Sequence, residues 1–243
     1  MSTMKNYHKD SPETIQSMFG SIAKSYDRTN ALLSFQLHRY WNPSLVKHTI
    51  AQSDSKVADL CCGTGEITWT WLKKALPNQT AYLIDFCPEM LECAKLKAQN
   101  LKLDLAHKLS FIQADVQELP LDSDSIDAMT VAYGIRNVKN PDKCFDEAYR
   151  TLKVGGKLGI LELTEPKNPF LRFGHNLYLK TLLPKIGGLI SSNRQAYEYL
   201  SQSIVAFTKP EELALRLKNA NFSDIKITPL TGGIATIITA KKS

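Results

Sequence analysis

A chain of 243 residues is long enough for one sizeable α/β domain with an insertion, and short for two full domains. Its 43% hydrophobic content fits an ordinary globule, no apolar run approaches a bilayer-spanning length, and the first ten residues lack the apolar stretch of a signal peptide. The net charge of +6 leaves open an anionic surface or an acidic ligand, but no basic tail or RNA-binding signature accompanies it, so no nucleic-acid partner is expected.

Residues 12–50 read as helical. Asp10-Ser11-Pro12-Glu13 joins a cap candidate to a first-turn proline, and Ile15, Met18, Phe19 and Ile22 recur at helical spacing. Residues 1–50 are therefore expected to form a helical N-terminal lid on a domain spanning 51–243. From Lys56 to Leu163, apolar strands at 56–61, 80–84, 108–113, 126–132 and 157–163 alternate with helices near 65–76, 88–100 and 141–152. Such alternation predicts a parallel sheet. Gly155-Gly156 is expected to close the helix at 141–152 and turn into the next strand.

The alternation then breaks. Residues 164–208 carry Phe170, Phe173, Leu177, Tyr178, Leu182, Leu183, Ile186, Leu189 and Ile190, with Pro184 interrupting. From Lys167 to Arg194 inclusive there are five Lys or Arg and no acidic residue, the composition of a basic amphipathic insertion. A helix at 209–220 and strands at 223–229 and 234–241 finish the chain, with Gly232-Gly233 as the hairpin turn between them. The five cysteines (61, 62, 87, 93 and 144) are an odd number without zinc spacing, and adjacent Cys61 and Cys62 cannot bridge in ordinary geometry. They read as reduced thiols of a cytoplasmic protein, and no metal site is expected.

The stretch from Val57 to Glu66 joins a strand ending near Asp59 to a Gly63-Thr64-Gly65 turn and a helix. The next two strands end in Asp85 and Asp115, so three carboxylates face the crevice at the C-terminal edge of the sheet. Thr68 stands where a dinucleotide fingerprint needs its third glycine, and three acids would repel a pyrophosphate. A cationic, phosphate-free nucleoside suits them better, which points to S-adenosyl-L-methionine (SAM). Asp85 would accept from the ribose hydroxyls. Asp115 and the Val116 backbone would meet the adenine. Asp59, with the backbone near Gly63, would lie beside the methionyl part.

Other segments are more specific. Phe19 to Ser34 runs on to His38-Arg39-Tyr40-Trp41, and Ala132-Tyr133-Gly134-Ile135-Arg136-Asn137 follows the fourth strand. With Arg150-Thr151-Leu152-Lys153, Tyr197-Glu198-Tyr199-Leu200 and Thr231-Gly232-Gly233-Ile234, they make the chain resemble the UbiE/MenG family, C-methyltransferases of menaquinone and ubiquinone biosynthesis, from about residue 14 onward. The chain departs from that pattern at Glu66 (usually Asp), Asn42 (commonly Arg) and Ala132 (often Ser), where only the backbone is left to meet the cofactor.

The resemblance implies a Rossmann-like class I SAM-dependent methyltransferase with a seven-stranded, mostly parallel sheet. It also implies methyl transfer to a ring carbon of a polyprenylated hydroquinone. Demethylmenaquinol is the favoured acceptor, and a 2-polyprenyl-6-methoxy-benzoquinol the alternative within the same family. Arg136 would stabilise the quinolate oxygen, Asn137 would orient that oxygen or a water, and His38 is the candidate base. Tyr26, Asp27 and Asn30 would belong to the lid. A salt bridge from Arg136 to the helix after it is the competing reading of that residue. Because the quinone dissolves in the bilayer, the insertion at 164–208 would touch an anionic membrane surface. The enzyme would then sit peripherally on the inner face of the membrane, and a homodimer is left open. Weaker readings are an O- or N-methyltransferase, a non-catalytic SAM- or lipid-binding protein, and a nicotinamide dehydrogenase.

Overall fold

The computed structural model describes residues 11–183 and 194–243; Asp10, Pro184, Lys185, Ile186, Leu189 and Ile190, and the side chains of Arg194 and Tyr197, lie outside the described residues. Helix α1 (Pro12–Ile22) starts with Ser11 at the cap and Pro12 in the first turn, where its missing N–H leaves no bond unmade. It buries Ile15, Met18 and Ile22, the helical stripe read from the sequence. A 3₁₀ turn (Ala23–Ser25), α2 (Tyr26–Leu33) and α3 (His38–Thr49) follow. Trp41 and Leu45 of α3 are buried in a cluster with Leu161 and Ile237, so α3 is part of the layer that covers the sheet.

The sheet has seven strands in the order β3-β2-β1-β4-β5-β7-β6. The strands are β1 (Lys56–Leu60), β2 (Thr80–Asp85), β3 (Lys108–Gln113), β4 (Ile126–Ala132), β5 (Leu152–Leu163), β6 (Phe222–Leu230) and β7 (Ala235–Lys242). The first five pair in parallel, and β7 lies antiparallel to both β5 and β6. From Val57 to Leu60, β1 is buried at every position, as a strand covered on both faces must be. Helices α4 (Glu66–Leu72) and α5 (Pro88–Asn100) pack Trp69, Leu72 and Ala94 against one part of the core. Helices α6 (Pro141–Thr151) and α9 (Pro210–Asn219) contribute Phe145, Ala148, Leu213 and Leu217 to another. The insertion holds α7 (Pro169–Leu177), a π-helical turn (Tyr178–Leu182) and α8 (Arg194–Val205).

Three sequence expectations change. The helix expected at 65–76 ends at Leu72, because Lys74 and Ala75 bond back only three residues, to Trp71 and Leu72. Gly155-Gly156 closes no helix: α6 ends at Thr151, and both glycines lie inside β5. There the register against β4 jumps from Ile126↔Leu152 to Ala128↔Lys157, a bulge whose Gly155 takes φ +86°. The β6–β7 hairpin closes through a 3₁₀ turn, Thr231–Gly233, rather than a two-residue loop.

Candidate active site

Parallel strands leave their C-terminal ends, and the loops after them, along one edge. Beyond β1, Cys61, Gly63 and Gly65 adopt φ of +52°, +54° and +82°. Beyond β4, Tyr133 adopts φ +58°, an uncommon conformation for a bulky side chain. Gly134 follows it and lies against Cys61, so that a methyl group at Gly134 would overlap Cβ of Cys61. The two strand ends therefore approach as closely as backbone allows.

This edge opens three adjoining cavities. Asp85, Asp115 and Val116 share one of about 80 Å³ with Gly63, Ala132 and Gly134, roofed by Phe19 of α1. Asp59 borders a second, also about 80 Å³, with Gly63, Thr64, Glu66, Asp27 and His38. A third, of about 480 Å³, runs under the insertion between α1, α2 and α7, its walls dominated by Met18, Ile22, Leu33, Leu163, Leu179 and Leu183. Its polar groups include Arg136, Asn137, Tyr199 and His38. Tyr26 and Tyr133 line all three cavities.

The carboxylates differ in their partners. Asp59 is 3% exposed and accepts from the Thr130 hydroxyl (2.8 Å) and the Thr68 hydroxyl (2.9 Å). Asp85 accepts from the backbone N–H groups of Gly63 (2.8 Å) and Cys87 (2.9 Å). Burial pushes both carboxyls up to about 6 against those donors, which hold them down. Asp115 accepts from the backbone and side-chain amides of Gln117. Acceptors thus crowd the crevice, an electrostatic fit for hydroxyl donors and a cation rather than for a phosphate. That is the donor and charge pattern of SAM.

The N-terminal helices are clasped to this edge. Thr64 Oγ1 donates to Asp27 Oδ1 at 2.6 Å, and Lys97 Nζ reaches Asp27 (2.5 Å), Glu66 (2.7 Å) and Thr64 Oγ1 (3.0 Å). One ammonium on α5 thereby joins α2 to the glycine turn.

Arg136 forms a buried ion pair with Glu162. The partner stands on the adjacent strand β5, not on the helix after Arg136, which corrects the competing reading of that residue. Arg136 Nε and Glu162 Oε2 are both buried without a hydrogen-bond partner. Burial pushes the Glu162 carboxyl up, while Arg136 pulls it down. Asn137 Oδ1 accepts from the Tyr199 hydroxyl at 2.9 Å, and Tyr133 donates to Asn42 Oδ1 at 2.9 Å. His38 Nδ1 lies 2.7 Å from the Ser34 hydroxyl, and burial pulls its imidazole below the ordinary value of 6.5 while Glu66 pushes it up. Arg136, Asn137, Tyr26 and His38 thus share the large cavity, while the aspartates and the glycine turn border the two smaller ones. Sequence reasoning missed Glu162, although a single acid inside the apolar run Leu158–Leu163 is itself a sign of a buried charge in need of a partner. It assigned no partner to Tyr199, Thr68 or Thr130, whose partners lie on other elements.

A model of the ubiE/COQ5 methyltransferase family matches residues 5–242. The chain is 50% identical over 240 residues to a protein of Protochlamydia amoebophila named demethylmenaquinone methyltransferase, which covers 98% of this chain and 99% of that one. It is 39% identical over 238 residues to a Campylobacter jejuni protein named ubiquinone/menaquinone biosynthesis C-methyltransferase UbiE, covering 95% and 98% of the two chains. Among solved structures it is similar in fold to a SAM-dependent methyltransferase from Aquifex aeolicus (TM-score 0.64, 18% identity, 92% of this chain and 98% of that one). The phosphoethanolamine N-methyltransferase 2 of Haemonchus contortus, solved with S-adenosylhomocysteine, has a TM-score of 0.60 at 16% identity, over 84% of this chain and 52% of that one.

Proposed function

The chain belongs to the ubiE/COQ5 methyltransferase family and is a SAM-dependent methyltransferase, and from that premise we propose that it C-methylates demethylmenaquinol to menaquinol. The observation that carries this reading is the large cavity: mainly apolar walls for a prenylated ring, a few polar groups among them, and two tyrosines shared with the carboxylate-lined crevice. When bound in the crevice, SAM would supply an activated sulfonium methyl; a ring carbon could take it, with release of S-adenosylhomocysteine, once the neighbouring hydroxyl has lost its proton. Asp85 would hold the ribose hydroxyls, Asp115 and Val116 would meet the adenine, and Asp59 with Gly63, Thr64 and Gly65 would face the methionyl end. Ala132 contributes backbone alone.

Arg136 and Asn137 stabilise the developing quinolate oxygen electrostatically. His38, which borders both the large cavity and the methionyl side, accepts a proton, and its lowered imidazole is neutral at neutral pH. Tyr26 closes the site from the lid. Purified protein incubated with SAM and chemically reduced demethylmenaquinone should yield methylated quinone and S-adenosylhomocysteine by mass spectrometry. Absence of product would remove the naphthoquinol assignment. The Campylobacter relative's name also supports a benzoquinol acceptor, and a benzoquinol competitor in the same assay decides the preference.

Cofactor affinity should depend on pH. The ionised forms of Asp59 and Asp85 are the ones that receive hydroxyl donors and a cation, and both carboxyls sit at about 6. Titration calorimetry with SAM should show Kd rising well below pH ~6, about tenfold per pH unit for each carboxyl that must ionise and so about a hundredfold if both must. A flat profile from pH 5 to 8 would take these carboxylates out of the contact.

The finer placement is peripheral, on the anionic inner face of the membrane. Helix α7 has no buried residue: Phe170 is 87% exposed and Phe173 74%. Phe35, beyond α2, is also exposed, and it borders the same cavity and meets the Tyr178 ring at 5.5 Å. Exposed aromatic side chains on a segment that lines the cavity and also carries Arg172 and Lys180 suit a surface from which a tail must be drawn. Replacing Lys180 and Lys185 by Glu should weaken sedimentation with phosphatidylserine-containing vesicles about tenfold or more. Equal binding by wild type and double variant would remove the idea.

A further inference from the structure

The large cavity is apolar except where a few side chains reach it, so the direction of each of their dipoles matters. Asn137 stands where this is sharpest. It ends the 3₁₀ turn after β4 and lines both the large cavity and the crevice with Asp85. A side-chain amide has an acceptor end and a donor end, and which end faces the cavity depends on what holds the other. Here Oδ1 accepts from the Tyr199 hydroxyl at 2.9 Å, which leaves Nδ2 as the outward, positive end. Arg136, the residue before Asn137, also lines the large cavity and brings a cation there, paired with Glu162. Rotating the amide by half a turn would set its carbonyl against an anionic oxygen and oppose the reaction.

We propose that Tyr199 is a positioning residue for catalysis: its hydroxyl fixes the Asn137 amide so that Nδ2 donates to the ionised oxygen of the aromatic acceptor. The proposal rests on the reading of the acceptor as a hydroquinone. It also gives the insertion a part in the chemistry, since Tyr199 comes from α8. That helix is seated by the Ser201 hydroxyl, which donates to the Leu179 carbonyl at 2.8 Å. Burial pushes the Tyr199 phenol up, so it remains a protonated donor across the neutral range.

Two measurements test the assignment. In a double-mutant cycle on methyl transfer, Tyr199→Phe should lower kcat about tenfold or more, with KM for the quinol and Kd for SAM within about twofold of wild type. The same substitution added to Asn137→Ala should lower kcat no further. A purely structural tyrosine would give additive losses and a lowered Tm, and that outcome would overturn the proposal. The second measurement needs no turnover: 1-naphthol is bound to the protein and its ionisation is followed by absorbance. The pKa of the bound naphthol should be about one unit higher in Tyr199→Phe than in wild type, a tenfold loss of preference for the anion. An equal pKa in both proteins would overturn the role of Tyr199. A wild-type protein that ionises the probe but does not methylate demethylmenaquinol would overturn the acceptor assignment instead.

Discussion

Arg136→Met should destabilise the fold by about 3–5 kcal/mol, because it strands the Glu162 carboxylate without its counter-charge. Both side chains are nearly inaccessible, and Glu162 Oε2 already lacks a partner, so water has no ready way to compensate. The double variant Arg136→Met, Glu162→Leu should recover most of that stability, since a buried ion pair replaced by apolar groups of similar volume is often neutral. Turnover should stay at least ~100-fold below wild type in both, because the proposed mechanism loses the cation that stabilises the acceptor oxygen. Urea unfolding together with a methyl-transfer assay separates the two effects. If the double variant regains activity along with stability, Arg136 serves the fold alone. The single variant also has a signed pH dependence. Burial raises the Glu162 carboxyl above its unfolded value, and without the Arg136 guanidinium only backbone N–H groups, that of Leu163 among them, offset that shift. The stability contribution of a raised carboxyl is present below the unfolded value and lost as pH rises through the folded one. Arg136→Met should therefore be least impaired under mildly acidic conditions.

Gly134→Ala should impair catalysis through the backbone rather than through any functional group. The added methyl would overlap Cβ of Cys61, which follows β1 as Gly134 follows the end of β4. Relief of that overlap moves apart two of the three strand ends that border the crevice. A stability loss of about 1–3 kcal/mol is expected, with turnover down ~100-fold from misplacement of groups that never change identity. Cys61→Gly removes the opposing Cβ, and the φ of +52° at that position suits glycine. The pair Gly134→Ala, Cys61→Gly should therefore regain most of both losses. A double variant no better than the single would show that close approach is not why position 134 lacks a side chain.

How far the molecule could be read from its residues depended on how local each signal was. Helix α5 was placed from Pro88 to Asn100 because a first-turn proline and an apolar stripe are both local. Strands β3 and β4 were likewise placed within their observed bounds. The aspartates of the crevice were legible because strand ends in a parallel sheet converge whatever the loops do. Gly155 was misread because the left-handed conformation that ends a helix is also the one that makes a bulge. The pairings of Glu162 and Tyr199 are illegible for another reason: their partners lie 26 and 62 positions away, and neither separation appears in any periodicity.

The placement of β7 has a consequence for how the chain is made. The strand comes last in sequence, yet it lies inside the sheet, between β5 and β6. While a nascent chain emerges from the ribosome, the five parallel strands can assemble early, but β5 then keeps an unpaired edge until residues 235–242 arrive. Through that interval β5 is a long, largely apolar edge strand, the feature most open to pairing with a neighbouring chain. The yield of folded protein is thus tied to the interval between synthesis of β5 and of β7, and the insertion between those two strands lengthens that interval.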